Sequence, residues 1–486
     1  MKMNFIAAFT STTRLREYPL ILSLGLSLGL LSACMSPEES SPIAVSIVDT
    51  GTKPLHIKNV TLFDSITLSS ITGQDVVVEN GKIASVCPAG TCAVSAQAHS
   101  IEGEGATLLP GLIDMHGHIS TTTGPTWEMA SPNVQDNLNA YVYAGVTTVF
   151  DPGDSSEEAF SRRAQTESGE LIGPRIFTAG KIITDPAGHP RAMIDAFAPW
   201  WISWLVKPGV ATGVSSTGEA VDAVNERLDA GADAIKLVVD SIPLDATIMP
   251  TDVLKALIDQ THARGSRAVA HIGTTADALV AAENGIDLWI HGVYKERIAD
   301  DVIERIAAFD IPMVTTSEVF DRYGRALSGP VQPTRLESQM ISQEKLASFY
   351  PPPEDFELGN LAGWVELMSN TREDRLENVS RLHAAGVTIL AGSDTQSGVF
   401  PGTGLHREIA TLVAAGLTPS QAIRAATYDS ARYLSGDSEP DSGFIAPGKR
   451  ADLLLVNGDP TVDISALSDI REVVLNGRLL QRKSLR

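Results

Sequence analysis

From residue 106 onwards, short runs rich in apolar and β-branched residues alternate with amphipathic stretches. The runs are 107–113, 147–150, 175–179, 234–239, 267–270, 287–290, 312–315 and 387–390, each of a length and composition that suits a buried strand. Stretches 217–230 and 251–263 carry their apolar residues at helical spacing instead. Several helices end at a glycine with the next strand starting at once, as in Ala144-Gly145-Val146, Ala230-Gly231-Ala232 and Ala385-Gly386-Val387. Eight strands in such alternation predict an α/β fold, a (β/α)8 TIM barrel rather than an open doubly wound sheet. No glycine-rich phosphate loop follows the first strand, which also argues against a dinucleotide fold. The flanks read differently. Residues 53–105 and 443–482 alternate apolar and polar positions around turns such as Glu79-Asn80-Gly81-Lys82 and Asn476-Gly477. They predict a small β-sandwich domain formed by both termini, 51–108 and 441–486, around a barrel over 109–440.

Composition narrows the possibilities. The chain has 486 residues, 43% of them hydrophobic, enough for a large core. Its 37 basic against 59 acidic residues give a net charge of -22, which excludes nucleic acid as a partner, because binding there rests on basic neutralisation of phosphate. Three cysteines are too few for a disulfide scaffold or a four-thiolate zinc module. Cys87 and Cys92 flank a Pro/Gly turn between apolar runs, and in an oxidising compartment a local disulfide is expected, with free thiols the alternative.

At the N-terminus, Arg14 and Arg16 precede an apolar run over 20–31 and then Leu31-Ser32-Ala33-Cys34. The run is shorter than the ~20 residues of a spanning helix and ends in small residues, as a cleavable signal does. The Leu-Ser-Ala-Cys ending resembles the lipobox of bacterial lipoproteins. That resemblance implies a signal peptide over 1–33, an acylated Cys34 and membrane contact through the lipid alone. With Met rather than Asp at position 35, it also implies the periplasmic side of the outer membrane of a Gram-negative bacterium. An uncleaved anchor is the alternative. Residues 34–50 read as a polar tether.

The chemistry sits at strand ends. The first strand runs into Asp114-Met115-His116-Gly117-His118, and in extended chain His116 and His118 face the same side, a metal half-site. The fourth strand carries Lys236, the fifth ends at His271, the sixth at His291, and the eighth runs into Gly392-Ser393-Asp394. Buried ionisable groups on five strands are costly unless paired or bound to metal. Satisfied core residues are the bland alternative.

These motifs together resemble the amidohydrolase superfamily, in its branch of metal-dependent prolidases, peptidases and imidazolonepropionase-like enzymes. The matching segments are Leu109-Pro110-Gly111-Leu112-Ile113-Asp114-Met115-His116-Gly117-His118, Gly231-Ala232-Asp233-Ala234-Ile235-Lys236, Ala391-Gly392-Ser393-Asp394-Thr395 and the tail Gly443-Phe444-Ile445-Ala446-Pro447-Gly448-Lys449-Arg450-Ala451-Asp452-Leu453. The resemblance covers nearly everything after residue 50 and implies hydrolysis of C–N bonds in a small amide or peptide, with dipeptides or N-acyl amino acids as substrates. It implies two divalent metal ions: one on His116, His118 and Asp394, the other on His271 and His291, with Lys236 as a CO2-derived carbamate between them. Such ligands suit Zn2+ best, with Mn2+, Co2+ and Fe2+ as alternatives. A hydroxide bridging two such ions is available near neutral pH, because metals lower the pKa of bound water from about 15.7 to about 7. Asp394 would shuttle its proton to the leaving nitrogen.

Where the branch has Gly-Gly-His, this chain has Ala187-Gly188-His189, so His189 is expected to bind substrate or the oxyanion, with an ordinary loop histidine the alternative. His406 opens the helix after the eighth strand and is within reach of the site by position, while His262 and His383 read as helix residues. Two segments are expected to shape specificity: a loop over 196–208 with Trp200, Trp201 and Trp204, and a long loop over 317–370 read as a lid. The enzymatic alternative is a mononuclear deaminase or cyclic-amide hydrolase using His116, His118, His271 and Asp394. A non-catalytic scaffold is the remote one.

Overall fold

The computed structural model describes residues 36–37 and 41–485, apart from 129, 155–157, 198–199, 326–328, 331 and 437. Cys34 and the leader lie outside the described residues, and among those described no helix is long and apolar enough to cross a membrane.

Eight parallel strands carry the site: β1 (Leu112–Asp114), β2 (Val146–Asp151), β3 (Arg175–Thr178), β4 (Ile235–Val238), β5 (Ala268–His271), β6 (Leu288–Ile290), β7 (Met313–Val314) and β8 (Ile389–Leu390). Pairing runs β3-β2-β1 in one sheet and β4-β5-β6-β7-β8 in another, which short strands Ile182–Thr184 and Ala211–Gly213 extend beyond β4. Hydrogen bonds join the two sheets at both sides. Asp233 N donates to Thr178 O at 2.9 Å beside β3, and Met115 N donates to Ala391 O at 2.9 Å between the exits of β1 and β8.

The alternation read from the sequence has a local cause at each joint. Helix Thr217–Asp229 starts because the Ser216 side chain accepts from Glu219 N, and Thr274 caps Thr275–Glu283 through a reciprocal bond with Asp277. Burial then sorts the faces. Ile113, Phe150, Val269, Leu288, Ile290, Val314 and Leu390 form an apolar cluster contributed by six of the strands. A larger cluster packs the opposite strand faces, including Leu112, Val149, Leu237 and Ala270, against helix residues such as Leu257, Ile258 and Leu405.

The two ends of the chain combine into one nine-stranded sheet, in path order Ile43–Ile47, Arg478–Ser484, Ile470–Leu475, Leu453–Val456, Thr107–Pro110, Leu55–Asp64, Ser69–Glu79 and Lys82–Pro88, with His99–Glu102 beside Leu55–Asp64. It buries its own core, including Ile57, Val76, Leu108, Leu453 and Val474. A disulfide joins Cys87 and Cys92.

Four expectations are corrected. The tether read over 34–50 contains a strand, because Ile43, Val45 and Ile47 alternate and pair antiparallel with Arg478–Ser484. The single strand read over 107–113 is two: Thr107–Pro110 belongs to the terminal sheet and Leu112–Asp114 to the parallel strands. Gly111 is the joint; its N–H donates to Asp452 O at 2.8 Å, and a Cβ there would fall 2.2 Å from Thr147 Oγ1. The loop over 196–208 is helical, within Arg191–Phe197 and Trp200–Val210, with Trp204 exposed and the Trp200 and Trp201 side chains outside the described part. The loop over 317–370 holds helices Ser317–Arg325, Arg335–Met340, Gln343–Ala347 and Ala362–Asn370. Two of these start at reciprocal or single caps, Thr334 with Glu337 and Ser342 with Lys345 N, so capping residues inside a long connection carry the order.

Candidate metal and catalytic centre

The exits of the parallel strands surround a cavity of about 440 Å³, and His116, His118, His189, Lys236, His271, His291 and Asp394 all line it. Backbone bonds bring its first and last strands together. Asp114 accepts from His116 N at 3.1 Å, Ser393 N at 2.9 Å and Ser393 Oγ at 2.5 Å. Burial still pushes its carboxyl up to about 6 against those bonds. Asp394 N donates to His116 O at 2.5 Å, and Asp394 takes φ 53°, a strained conformation of the kind held at functional sites. The glycine between the two histidines is steric: Gly117 N donates to Phe150 O, and a Cβ there would fall 2.4 Å from the Tyr141 hydroxyl oxygen.

Asp394 is the hub of the cluster. Its Oδ1 lies 3.1 Å from His118 Nε2 and 3.5 Å from His116 Nε2, and its Oδ2 lies 3.9 Å from His291 Nδ1. His291 Nε2 lies 3.0 Å from His271 Nδ1, and the His189 ring sits 4.8 Å from that of His271. Burial alone would raise Asp394, but His116, His118 and Lys236 hold it well below the usual carboxylate range. Burial likewise opposes a charge on His118, yet Asp151 and Asp394 on either side push it up to about 10. Both ring nitrogens of His118 thus face a carboxylate, and a bound cation would displace the proton that this environment favours. Burial drives the Lys236 ammonium down to about 7 although Asp394 opposes this, so much of it is the neutral amine that can react with CO2.

The cluster fits a metal. His116, His291 and Asp394 each offer a ligand atom, all within 4.8 Å of one another. Among the described residues, His116 Nδ1, His189 Nδ1 and Lys236 Nζ are buried without a hydrogen-bond partner, which is costly unless a ligand completes them. Imidazole and carboxylate donors are the set that divalent Zn2+-like ions take.

Three supporting residues were not singled out in the sequence. Asp151, which ends β2, lies 3.4 Å from His118 Nδ1 and accepts from Ile119 N at 3.0 Å. Thr395 Oγ1 accepts from His118 N at 2.7 Å and donates to His118 O at 3.2 Å. Asp240, two residues past β4, lies 3.1 Å from His271 Nε2 and accepts from Ser241 N at 2.7 Å, Lys295 Nζ at 2.6 Å and the Tyr294 hydroxyl. Burial opposes its charge, but His271 and Lys295 hold it well below the ordinary carboxylate range. Asp240 therefore fixes the His271 ring with Nδ1 towards His291. Asp151 closes an apolar strand and Asp240 lies two residues past one, a placement that the start of a polar loop shares.

His406 does not reach the site. It is buried, donates from Nε2 to Ala144 O at 2.8 Å, and has Nδ1 3.3 Å from Ser468 Oγ. In place of a lid loop, Phe320, Tyr323 and Trp364 from the 317–370 helices wall the cavity.

An α/β fold of parallel strands with a histidine–carboxylate cluster at the strand exits defines a class of metal-dependent hydrolases. The model of the amidohydrolase family matches residues 107–480, and the chain belongs to that family. An uncharacterized protein of Mycobacterium tuberculosis is 26% identical over 429 residues, 87% of this chain and 95% of its own length. Ochratoxinase of Aspergillus niger is 25% identical over 396 residues, 75% of this chain and 73% of its own. The crystal structure of a Xaa-Pro dipeptidase with methionine bound in its active site superposes with a TM-score of 0.67 at 23% identity, over 88% of this chain and 99% of that one.

Proposed function

We propose that this chain hydrolyses the C–N bond of small amide- or peptide-type substrates, with dipeptides and N-acyl amino acids as the classes to screen first. His116, His118 and Asp394 would hold one divalent ion, His271 and His291 a second, and Lys236, as a carbamate, would lie between them. The single observation that carries this reading is the set of three unpartnered buried nitrogens around one cavity, on His116, His189 and Lys236. Bound divalent ions would supply Lewis acidity, polarising a carbonyl and acidifying water. Asp394, kept ionised by its histidine neighbours, accepts a proton as base and returns it to the leaving nitrogen, which cannot depart as an amide anion. His189, neutral because burial pushes its pKa far down, is suited to hold the substrate carbonyl side.

The reading extends to the frame. The eight parallel strands form a closed (β/α)8 barrel, supported by the hydrogen bonds at both sheet junctions, and the two chain ends form its β-sandwich companion. Cleavage before Cys34 and acylation there would tether the enzyme to the outer membrane facing the periplasm. In a Cys34→Ala variant, loss of processing or of membrane association supports this; normally processed, membrane-bound protein contradicts it.

The close group of His116, His291 and Asp394 is the observation that favours a single-ion site as the second reading. Turnover of Xaa-Pro and other dipeptides, N-acyl amino acids and lactams by the metal-restored chain tests the activity. Lys236→Ala separates the two readings: it abolishes turnover, partly restored by acetate or propionate, if a carbamate is needed. Unchanged turnover in that variant leaves the single-ion reading.

A further inference from the structure

The cavity is long on ionisable groups at its floor and short of cations on its walls. Among the described residues its lining holds no arginine, and its one lysine is Lys236 within the cluster. The undescribed residues between 41 and 485 add neither, since none is lysine or arginine. Beyond the cluster, the charged residues of the lining are Asp154 and Glu128. Asp154 is buried three residues past β2 and accepts from Ser120 Oγ at 3.1 Å. Glu128 is exposed at the mouth, where Lys345 lies next to it: a Cβ on Gly124 would meet Glu128 Oε2 at 3.2 Å and Lys345 Nζ at 3.3 Å. Arg322 and Arg325 line an adjoining crevice that shares Tyr323 and Trp364 with the cavity. They are engaged there, Arg322 with Glu318 at 3.4 Å and Arg325 with Asp321 at 3.6 Å.

The rest of the lining is uncharged: it mixes neutral polar groups, such as those of Thr122, Gln396 and Ser397, with apolar ones, such as Met193, Ile242 and Phe320. A carboxylate carried into such a wall exchanges its hydration for neutral donors at best, with no guanidinium or ammonium to pair it, and binds less well for that reason. The buried Asp154 side chain is an acceptor on the same wall rather than a donor to an anion, and the net charge of -22 lowers the local concentration of anions before they enter. The unpartnered nitrogens on His116, His189 and Lys236 mark this same space as the one a ligand fills.

We infer that the site selects amides with an apolar, uncharged or cationic group away from the scissile bond, and rejects those carrying a free carboxylate. This rests on the hydrolase reading above, keeps its C–N chemistry and reorders its substrates: blocked peptides and neutral N-acyl amines come ahead of the free dipeptides and N-acyl amino acids named there.

N-acetylphenylalanine and N-acetylphenethylamine test it, because they differ only in the carboxylate. Binding of each to the full metal-loaded chain is read by tryptophan fluorescence, since Trp364 lines the cavity, and turnover is read separately. The phenethylamine compound is expected to bind about tenfold more tightly, the size of a like-charge penalty in a partly desolvated site. Asp154→Asn should narrow that gap by strengthening the carboxylate compound alone, and added salt should narrow it too. Equal or tighter binding of N-acetylphenylalanine overturns the inference, as does binding of neither. A clear binding preference without turnover of any amide would sink the hydrolase reading and leave the selectivity standing.

Discussion

At the scale of single residues, Asp394 and Asp240 are both ionised carboxylates in the cluster, and their variants should fail in different ways. Asp394→Asn keeps the volume and removes the proposed base, so kcat should fall about 10²–10⁴-fold with a smaller change in KM. Bound metal should be largely retained, since the histidines and Lys236 remain; nearly full activity would remove the proton shuttle. Asp240→Asn touches no reacting atom. It loosens the His271 ring and removes the carboxylate counter-charge of the buried Lys295, which keeps the Ser241 carbonyl at 2.6 Å. Metal affinity should drop about 10–100-fold, as for other outer partners of ligand histidines. Stability should fall by about 3–5 kcal/mol, the cost of an orphaned buried charge. Adding Lys295→Met to Asp240→Asn should restore much of the stability, read by denaturant unfolding, but not the metal affinity. The cluster was legible because strand alternation puts His116 with His118 and an apolar strand makes Lys236, His271 and His291 conspicuous. Asp151 and Asp240 were not, because a carboxylate after a strand is also what a polar loop begins with. His406 misled for a similar reason: position along the chain says which strand it follows and nothing about which way its helix turns it.

At the scale of elements, the parallel strands after the first, and helices Thr217–Asp229 and Thr251–Ala263, were legible to within a residue or two, since buried runs, caps and terminal glycines agree. The terminal sheet borrowed from them in one place. Residues 108–113 carry no polar side chain, so no change of hydrophobicity marks the point where one sheet hands the chain to another. Gly111 marks it instead. Its backbone bonds to Asp452 while its missing side chain leaves room for Thr147 on the neighbouring strand β2. Gly111→Ala should therefore cost about 1–3 kcal/mol by overpacking, seen as a lower denaturant midpoint at unchanged slope. An unchanged midpoint would mean that the joint can open without loss. The strand Ile43–Ile47 escaped notice because it pairs with the far end of the chain, and nothing local signals a partner more than 400 residues away.

At the scale of the molecule, the strands and the terminal sheet meet along a seam where His406 spans Ala144 and Ser468. Burial, assisted by Arg482, lowers its pKa from 6.5 to about 4 against the bond to Ala144. The folded state thus holds the neutral ring while the unfolded chain takes up a proton. Stability from this group is full above pH 6.5 and is lost as pH falls towards about 4. The loss amounts to about 3 kcal/mol, so His406→Gln should show a correspondingly flatter decline in unfolding free energy between pH 7 and pH 4. Equal slopes in the two proteins would remove His406 from the acid response. The seam holds the frame, but the central claim concerns what the frame holds. Its most direct test is the metal content of the full chain after exhaustive dialysis, measured by elemental analysis beside a His116→Ala, Asp394→Ala double variant. The account predicts about two divalent ions per wild-type chain, the complement of a two-metal hydrolase, and a marked loss in the variant. A wild-type chain that binds no divalent ion under metal-replete conditions, or a variant that keeps the full complement, would contradict it.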